Sequence, residues 1–430
     1  MKKFFVLFLV LAVSSGLFAA GGAQSAPAGA AAPAQPKEIR VLLANQPYGD
    51  MLKPRLPDFE KETGIKLIWE SLQEFQLSNK LVTEFATGSP MVDVFMTRPL
   101  QEAMMFNKNG WYAALNNYDF SDYPDSAVAL GKKNNQPHMV PIIIEWQLLF
   151  YRKDLFEKNG VKVPTTFAEL ENAAKALNKD GIAGFGSRAA PFASIPQLSS
   201  YIFGFGGRYL EKGEAVFDSP EAVEAFRYYG RILGNYGPQG VSSMSWEQLL
   251  PVFQAGKLAM WIDVPIWLTQ LIDPAKSTVA AENVGVANFP AGPKRDNPFV
   301  IVPWGMAVSS KTKDMDSAMK FLNWATSKQF AFDALKDGIQ VARNSPWNDP
   351  VLKKNIHPDI IKSMEHAFKV GFPEDRPMMT SVAKARDFIG EIVLESINTK
   401  GESPKLQALA TEKVKDVNNL LKDDGEYGGK

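Results

Sequence analysis

Short apolar segments alternate with amphipathic ones at the start of the chain, and this alternation limits the possible folds more than any other feature. Apolar runs typical of strands lie at 38–45, 65–72 and 91–97. The segments between them have helical periodicity and end in glycine, at Gly64 and Gly88. Strands that alternate with helices predict an α/β fold with a largely parallel sheet.

The rest of the chain continues this pattern. LLFYRKDLFEKNG carries a strand into a helix, and Thr166 with Glu169 predicts a capping box for the next helix. The segment NPFVIVPWGMAVSS predicts one or two strands, and the chain from Asp359 onwards is mostly helical in pattern. FGFGG (203–207) is typical of a loop whose glycines let a backbone approach closely.

Composition excludes several kinds of site. The chain has 430 residues, enough for two or three domains, and its 47 basic and 47 acidic residues cancel, with no long basic run for nucleic acid. It has no cysteine, which excludes disulfides, thiolate metal sites and a cysteine-linked lipid anchor. The three histidines, His138, His357 and His366, lack the spacing of a helical metal motif. We therefore expect no cofactor and no metal.

The N-terminal segment predicts export. Lys2 and Lys3 precede the apolar run FFVLFLVLAV, and small residues follow, as in a secretory signal peptide over residues 1–25. The run is too short for a good membrane span, although an uncleaved anchor remains the alternative. Residues 26–36, APAGAAAPAQP, are rich in alanine and proline and predict a flexible tether.

A carboxylate interrupts an apolar strand at Glu145, in the segment PIIIEWQLLFY. A charged group in such a strand is costly to bury unless a partner satisfies it. The sequence therefore predicts a partner for Glu145, which is either a basic side chain of the protein or a bound ligand.

Four motifs occur along the chain in the order LLFYRKDLFEKNGVKVPTTFAELENAAKAL, FGFGGRYL, FQAGKLAMWIDVPIW, and VPWGMAVSS followed by AMKFLNWATS. In this order they resemble those of family 1 extracellular solute-binding proteins, the substrate receptors of carbohydrate ABC transporters. The resemblance covers roughly the whole mature chain. Within the family, YGPQGVSSMSWEQLLPVFQAGKLAMWIDV most resembles the branch that binds sorbitol and mannitol.

The resemblance implies a two-lobed α/β fold of the type II periplasmic-binding-protein class, with a ligand cleft between the lobes and a hinge of crossing segments. One lobe would contain residues 37–144 and 299–341, and the other residues 145–298 and 342–430. It also implies a monomeric, exported, periplasmic or extracytoplasmic receptor without enzymatic activity. Such a receptor captures a sugar or polyol and delivers it to the membrane permease of an ABC transporter.

Candidate ligand residues follow from strand ends, where open α/β sheets bind ligands, and from side chains that suit sugars. In the relatives the chain crosses between the lobes at the position of Glu145, so its carboxylate would accept hydrogen bonds from two ligand hydroxyls. Aromatic rings would pack on the C–H faces of a sugar or polyol. The candidate set is Gln46, Tyr48, Thr97, Arg98, Glu145, Trp146, Gly206, Trp261, Asp263, Trp304 and Arg343.

Alternatives remain for several of these residues. Asp263 is either a ligand residue or the N-cap of the helix PIWLTQLI, and Arg343 is either a ligand donor or the structural partner of Glu145. Trp267 lies one position after the stacking aromatic of sugar-binding relatives, which argues against a disaccharide platform. Glu145 and Asp263 would also suit the paired carboxylates of a secreted glycoside hydrolase. A ligand-sensing protein that signals to a membrane receptor would have the same sequence features.

Overall fold

Two sheets and two hairpins hold the strands of the protein, whose computed structural model describes residues 37–89 and 91–429. In chain order the strands are β1 (Glu38–Ala44), β2 (Lys66–Leu72), β3 (Val94–Thr97), β4 (Lys132–Lys133), β5 (Gln136–Pro137), β6 (Val140–Trp146), β7 (Leu148–Arg152), β8 (Leu210–Glu211), β9 (Glu214–Ala215), β10 (Met260–Asp263), β11 (Val284–Asn288) and β12 (Val300–Val308). The predicted signal peptide (1–25) and tether (26–36) lie outside the described residues.

The five-stranded sheet has the order β2-β1-β3-β12-β6. β1 pairs in parallel with β2 and β3, whereas β12 runs antiparallel to both β3 and β6. All strands except β12 therefore run in one direction, and the prediction of a largely parallel sheet is confirmed here. β3 is buried along its whole length, as expected for a central strand.

The three-stranded sheet, β10-β7-β11, is antiparallel throughout, so the prediction of parallel pairing is wrong for it. A single residue, Gln147, separates β6 of the first sheet from β7 of the second. The chain therefore passes directly from one sheet to the other at this point. β6 extends to Trp146, beyond the predicted end of the first lobe at residue 144.

The helices account for most of the remaining described chain. They are α1 (Pro47–Leu52), α2 (Leu56–Thr63), α3 (Glu74–Thr87), α4 (Pro99–Lys108), α5 (Asp125–Ala129), α6 (Lys153–Asn159), α7 (Phe167–Leu177), α8 (Pro191–Phe205), α9 (Pro220–Tyr236), α10 (Trp246–Gln254), α11 (Leu268–Leu271), α12 (Met315–Ala325), α13 (Lys328–Lys336), α14 (Asn344–Trp347), α15 (Pro350–Asn355), α16 (Pro358–Val370), α17 (Val382–Asn398) and α18 (Leu406–Asp423). Over residues 37–89 and 91–429, none of them combines the length and the apolar character that a membrane crossing requires.

The helix predicted to end at Gly64 is interrupted by prolines. Pro54 and Pro57 lack the N–H group that an α-helix interior needs, and a 3₁₀ turn at Lys53–Arg55 separates α1 from α2. Gly64 has a left-handed φ of 69° and caps α2, as its position predicts.

Two further local predictions have different outcomes. Thr166 is the N-cap of α7 and its hydroxyl accepts from the Glu169 N–H, as predicted, but the Glu169 carboxylate accepts from Thr165 instead of Thr166. The predicted loop at 203–207 is wrong, because residues 203–205 form the last turn of α8 and Gly206 caps that helix with a φ of 96°.

Helices α9 and α17 pack closely because Gly230 has no side chain. A Cβ atom at Gly230 would lie 2.1 Å from the Ser396 hydroxyl oxygen and 2.5 Å from the Ser396 carbonyl oxygen. The same hydroxyl donates to the Phe226 carbonyl at 2.6 Å, so it has little freedom to move aside.

We expect Gly230→Ala to lower the free energy of unfolding by about 1–3 kcal/mol, because the helices must separate to admit the methyl group. The crowding should outweigh the gain in helix propensity, which is about 1 kcal/mol. Urea unfolding measures the difference, with Glu224→Ala at an exposed position of α9 as the control. A variant as stable as the wild type would contradict the tight packing.

Candidate functional site

A cavity of about 260 Å³ is lined by residues of the first sheet, by the segment that follows β10 of the second sheet, and by the N-terminal ends of four helices, α1, α3, α8 and α10. β6 and β12 contribute Glu145 and Trp304, and the segment after β10 contributes Trp267. Phe75 and Phe192, at the beginnings of α3 and α8, complete another part of the wall. The cavity therefore lies beside the end of β6 and the segment that follows β10.

Glu145 faces this cavity from the end of β6. Trp146, the next residue in the strand, is fully buried on the opposite face because side chains alternate along a strand. The Glu145 carboxylate forms neither a hydrogen bond nor an ion pair with any residue of 37–89 or 91–429. Arg343 pairs instead with Asp122 at 3.1 Å, so its interpretation as the structural partner of Glu145 is wrong.

Burial raises the pKa of the Glu145 carboxyl group to about 8. The Arg188 guanidinium opposes this shift, and three nearby carboxylates add to it, namely Asp263, Glu74 and Asp375. Glu145 is therefore mostly protonated at neutral pH in this environment. In that form it offers one O–H donor as well as acceptor oxygens to the cavity.

Four arginines line the cavity, and three of them, Arg98, Arg188 and Arg376, form ion pairs with carboxylates. Arg98 donates to Glu74 at 3.1 Å and to Glu102 at 3.4 Å. Arg376 donates to both carboxylate oxygens of Asp375, each at 2.6 Å. Buried charges are tolerated in such positions because each has its counter-charge and its hydrogen bonds in place.

A third arginine, Arg386, contacts no carboxylate within the described part of the chain. It donates to Gln101 Oε1 at 2.6 Å, an oxygen that also accepts from Arg376 at 2.9 Å, and to the Phe192 carbonyl. Burial lowers the pKa of Arg386 well below its ordinary value, and the charges of Arg376 and Arg98 lower it further.

Asp263 at the end of β10 holds the fourth arginine, Arg188. Two hydrogen bonds of 2.9 and 2.5 Å join them, and the same carboxylate accepts from the Val264 N–H and the Trp267 indole N–H at 2.9 Å. Burial lowers the pKa of Arg188, but Asp263 more than offsets this and the pKa is raised overall. Asp263 does not line the cavity itself, but it positions two side chains that do, Arg188 and Trp267.

The N-cap interpretation of Asp263 is wrong. The turn that follows β10 is a 3₁₀ turn, Pro265–Trp267, and its N-cap residue is Val264. Asp263 is instead an anchor for donors from three directions, which explains why a carboxylate can be completely buried there.

Flat aromatic rings form the apolar part of the wall. Trp246 and Trp267 stack with ring centroids 4.4 Å apart and planes inclined by 19°. Trp304 lies at a register shift in β12 beside Pro303, which has no N–H to donate to the neighbouring strand. The Trp304 ring is 5.8 Å from the Arg98 guanidinium. Such faces suit the C–H surfaces of a polyhydroxylated molecule.

Of the predicted ligand residues, Gln46, Arg98, Glu145 and Trp304 line the cavity. Whether these four contact a ligand remains a prediction. The predicted residues that the structure places elsewhere are Tyr48, Thr97, Trp146, Gly206, Trp261, Asp263 and Arg343.

Three of the residues outside the cavity wall form side-chain hydrogen bonds within the protein core. The Tyr48 hydroxyl donates to a backbone carbonyl at 2.8 Å, and the Thr97 hydroxyl donates to Glu102 at 2.7 Å. The Trp146 indole donates to Ser363 at 3.0 Å. Their polar groups therefore already have protein partners.

The other residues outside the wall have roles within the fold itself. Trp261 is completely buried in β10, and Gly206 ends α8 beside the side chain of Lys294. Arg343 donates to Asp122 and to the backbone carbonyl of Thr326.

Sequence reasoning missed much of the wall. The missed residues include Arg188, Phe75, Phe192, Trp246, Trp267, Arg376 and Arg386. They lie in helices and loops that are far apart in the chain, so no local pattern marks them as neighbours. Trp267 had a signal, since it closely follows Pro265, but its position differs by one from that in sugar-binding relatives.

The family profile described as bacterial extracellular solute-binding protein matches residues 44–331. The chain belongs to this family. The mannitol-binding protein of Pseudomonas aeruginosa is 28% identical to this solute-binding protein over 289 residues, which are 63% of this chain and 64% of that protein. The chain therefore spans slightly less than two thirds of that relative.

Solved structures of similar solute-binding proteins have the same fold. One from Agrobacterium radiobacter K84, in complex with ribitol, has a TM-score of 0.80 at 24% identity, covering 90% of this chain and 100% of that chain. One from Agrobacterium vitis S4, with bound D-mannitol, has a TM-score of 0.79 at 24% identity, covering 90% and 99%. The predicted type II solute-binding fold is confirmed. The residue boundaries of its two lobes remain a prediction.

The raised pKa of Glu145 predicts a pH-dependent stability. An unfolded glutamate has a pKa near 4.3, so between about pH 4.5 and pH 8 the folded protein binds more protons than the unfolded chain. The stability due to this group is fully present below about pH 4.5 and is lost as pH rises towards 8. One proton limits the slope to about 1.4 kcal/mol per pH unit.

Urea unfolding at pH 5, 6.5 and 8 tests this expectation. Glu145→Gln should remove that part of the slope, whereas Glu247→Gln changes an exposed carboxylate of the same cavity and is the control. Identical pH profiles of the wild type and Glu145→Gln would show that the carboxyl group is not perturbed in the fold.

Proposed function

We propose that this solute-binding protein captures a small uncharged polyol or sugar in the cavity, without chemical turnover. The observation that carries the proposal is the Glu145 carboxyl group, which faces the cavity and has no partner among the described residues. A partly buried polar group without a protein partner gains from hydrogen bonds, so a ligand that supplies them is favoured there.

The charges of the wall support an uncharged ligand. Arg98, Arg188 and Arg376 already donate to carboxylates of the protein. A ligand anion would have to displace those carboxylates or the hydrogen bonds of Arg386 to Gln101 and to the Phe192 carbonyl. A ligand cation would have to approach the arginines. Neutral hydroxyl groups avoid both costs, because they donate and accept without a net charge.

The shape and chemistry of the wall support a polyhydroxylated ligand. The stacked rings of Trp246 and Trp267 offer an apolar face, and Glu145 offers polar atoms within the same cavity. Binding sites of this kind are largely apolar and use a few well-placed polar groups for orientation. The relatives named above also support a polyhydroxylated ligand, since they bind mannitol or ribitol.

The hydrolase interpretation has less support. Glycoside hydrolysis needs two carboxyl groups that flank the scissile bond. Asp263 is completely buried, does not line the cavity, and holds Arg188 through two hydrogen bonds. It therefore cannot flank a bound sugar together with Glu145 unless that arrangement is broken.

For the biological role, we infer an exported receptor that acts as a monomer and delivers its ligand to the permease of an ABC transporter. In this proposal residues 37–144 and 299–341 form one lobe, residues 145–298 and 342–430 form the other, and the lobes close on the ligand. Family membership and the predicted signal peptide support this role.

Affinity for a hexitol such as sorbitol should increase between pH 6 and pH 8 in the wild type. Ligand hydroxyls donate more strongly to an ionised Glu145, so binding should release a proton, and affinity should rise by up to about tenfold per pH unit. At pH 8 we expect Glu145→Gln to bind ten- to a hundredfold more weakly, because a hydrogen bond to a charged group contributes about 1.5–3 kcal/mol.

Calorimetry in buffers of different ionisation enthalpy measures both the affinity and the released proton. Glu282→Gln, which changes an exposed carboxylate outside the cavity, is the matched control and should bind as the wild type does. Equal affinities of Glu145→Gln and the wild type at pH 8 would remove Glu145 from the site. Tight binding to amino acids or peptides alone would overturn the proposed ligand class.

A further inference from the structure

Phe75 and Phe192 form an aromatic pair at the rim of the cavity, which we call the aromatic gate. Phe75 is the second residue of α3, and Phe192 is the second residue of α8. Their rings meet edge to face, with centroids 5.1 Å apart and planes at 89°. Both rings line the cavity, yet 39% of Phe75 and 43% of Phe192 are exposed. The pair therefore stands between the cavity and the outside.

Two arginines hold the aromatic gate in place. The Arg98 guanidinium lies 5.6 Å from the Phe75 ring centroid, and the Arg386 guanidinium lies 5.9 Å from it. Arg386 also donates to the backbone carbonyl of Phe192. A single guanidinium thus contacts both halves of the gate, and cation–π attraction favours the observed position of Phe75. These contacts distinguish the pair from solitary exposed phenylalanines.

Trp246 and Trp267 add a second pair of aromatic rings to the cavity wall, because they stack on each other there. The volume of about 260 Å³ is below the range of about 300–1,000 Å³ that is typical of pockets for drug-sized ligands. A receptor for oligosaccharides needs room for the chain to continue beyond the first sugar unit. The aromatic gate covers part of the rim, and a ligand that extends past this part of the rim would meet the two rings.

We propose that the aromatic gate restricts the ligand to one monomeric unit, a single polyol or monosaccharide, and excludes disaccharides and their reduced forms. This inference rests on the proposed function, because it specifies the size class of the ligand in the same cavity. Phe75 and Phe192 act as specificity-determining residues: they block extension of the ligand past the rim.

Calorimetry with sorbitol, glucose, maltose and the glucosyl-hexitol maltitol tests the inference on the wild type, Phe75→Ala and Phe192→Ala. We expect the wild type to bind sorbitol or glucose and to bind the larger compounds at least a hundredfold more weakly. Each gate variant should gain at least tenfold in affinity for maltitol or maltose, because the missing ring opens the rim.

Phe368→Ala is the matched control. Phe368 is 48% exposed on α16, contacts Trp146 and does not line the cavity, so this variant should keep the selectivity of the wild type. Thermal melts establish that each variant is folded. If one gate variant does not fold, the other variant and the selectivity of the wild type still test whether the gate excludes larger ligands.

Two results would overturn the aromatic gate while leaving the proposed function intact. One is a wild type that binds maltitol or maltose within tenfold of sorbitol or glucose. The other is a folded gate variant that still excludes the larger compounds. A wild type that binds no compound of the panel would instead contradict the proposed function. The proposed role of the aromatic gate in size selection would then also be contradicted, because it depends on that function.

Discussion

The antiparallel pairing of β6 with β12 is the constraint on which the site depends. It matches Glu145 with Ile301 and Trp146 with Val300, and a single residue, Gln147, separates its end from β7 in the second sheet. Gln147 ties this junction to α8 through hydrogen bonds to the backbone and side chain of Gln197. With so short a connection, the backbone has little freedom. Strand alternation then sends Trp146 into the core and Glu145 into the cavity.

Charge compensation in the cavity wall is the physical basis for proposing a neutral ligand. Removing a charge from water is costly, and the arginines of the wall meet this cost with carboxylates and amide oxygens of the protein. Glu145 avoids the cost of a buried charge by staying protonated, since burial raises the pKa of its carboxyl group to about 8. A ligand that donates hydrogen bonds would supply the missing stabilisation of the anion. The cost of removing a charge from water thus accounts for the ion pairs in the wall and for the protonation of Glu145, and it is the reason for proposing a neutral ligand.

The sequence predicted the elements and the central carboxylate better than it predicted the wall. Periodicity and glycine caps located β1, β2 and α3 closely, because these signals are local. Glu145 could be singled out because a charge in an apolar strand requires a partner. Trp146 and Glu145 are neighbours in β6, so strand alternation does not allow both side chains to face the cavity. The partner of Arg343 could not be predicted, because Asp122 lies 221 residues away in the chain.

A crystal structure of the protein saturated with a bound hexitol at pH 8 tests the central claim most directly. The claim predicts two neighbouring ligand hydroxyls within hydrogen-bond distance of the Glu145 carboxylate oxygens, about 2.5–3.0 Å away. It also predicts that Arg188 keeps its two hydrogen bonds to Asp263. A ligand bound outside this cavity, or one whose hydroxyls leave Glu145 without a hydrogen bond, would contradict the account.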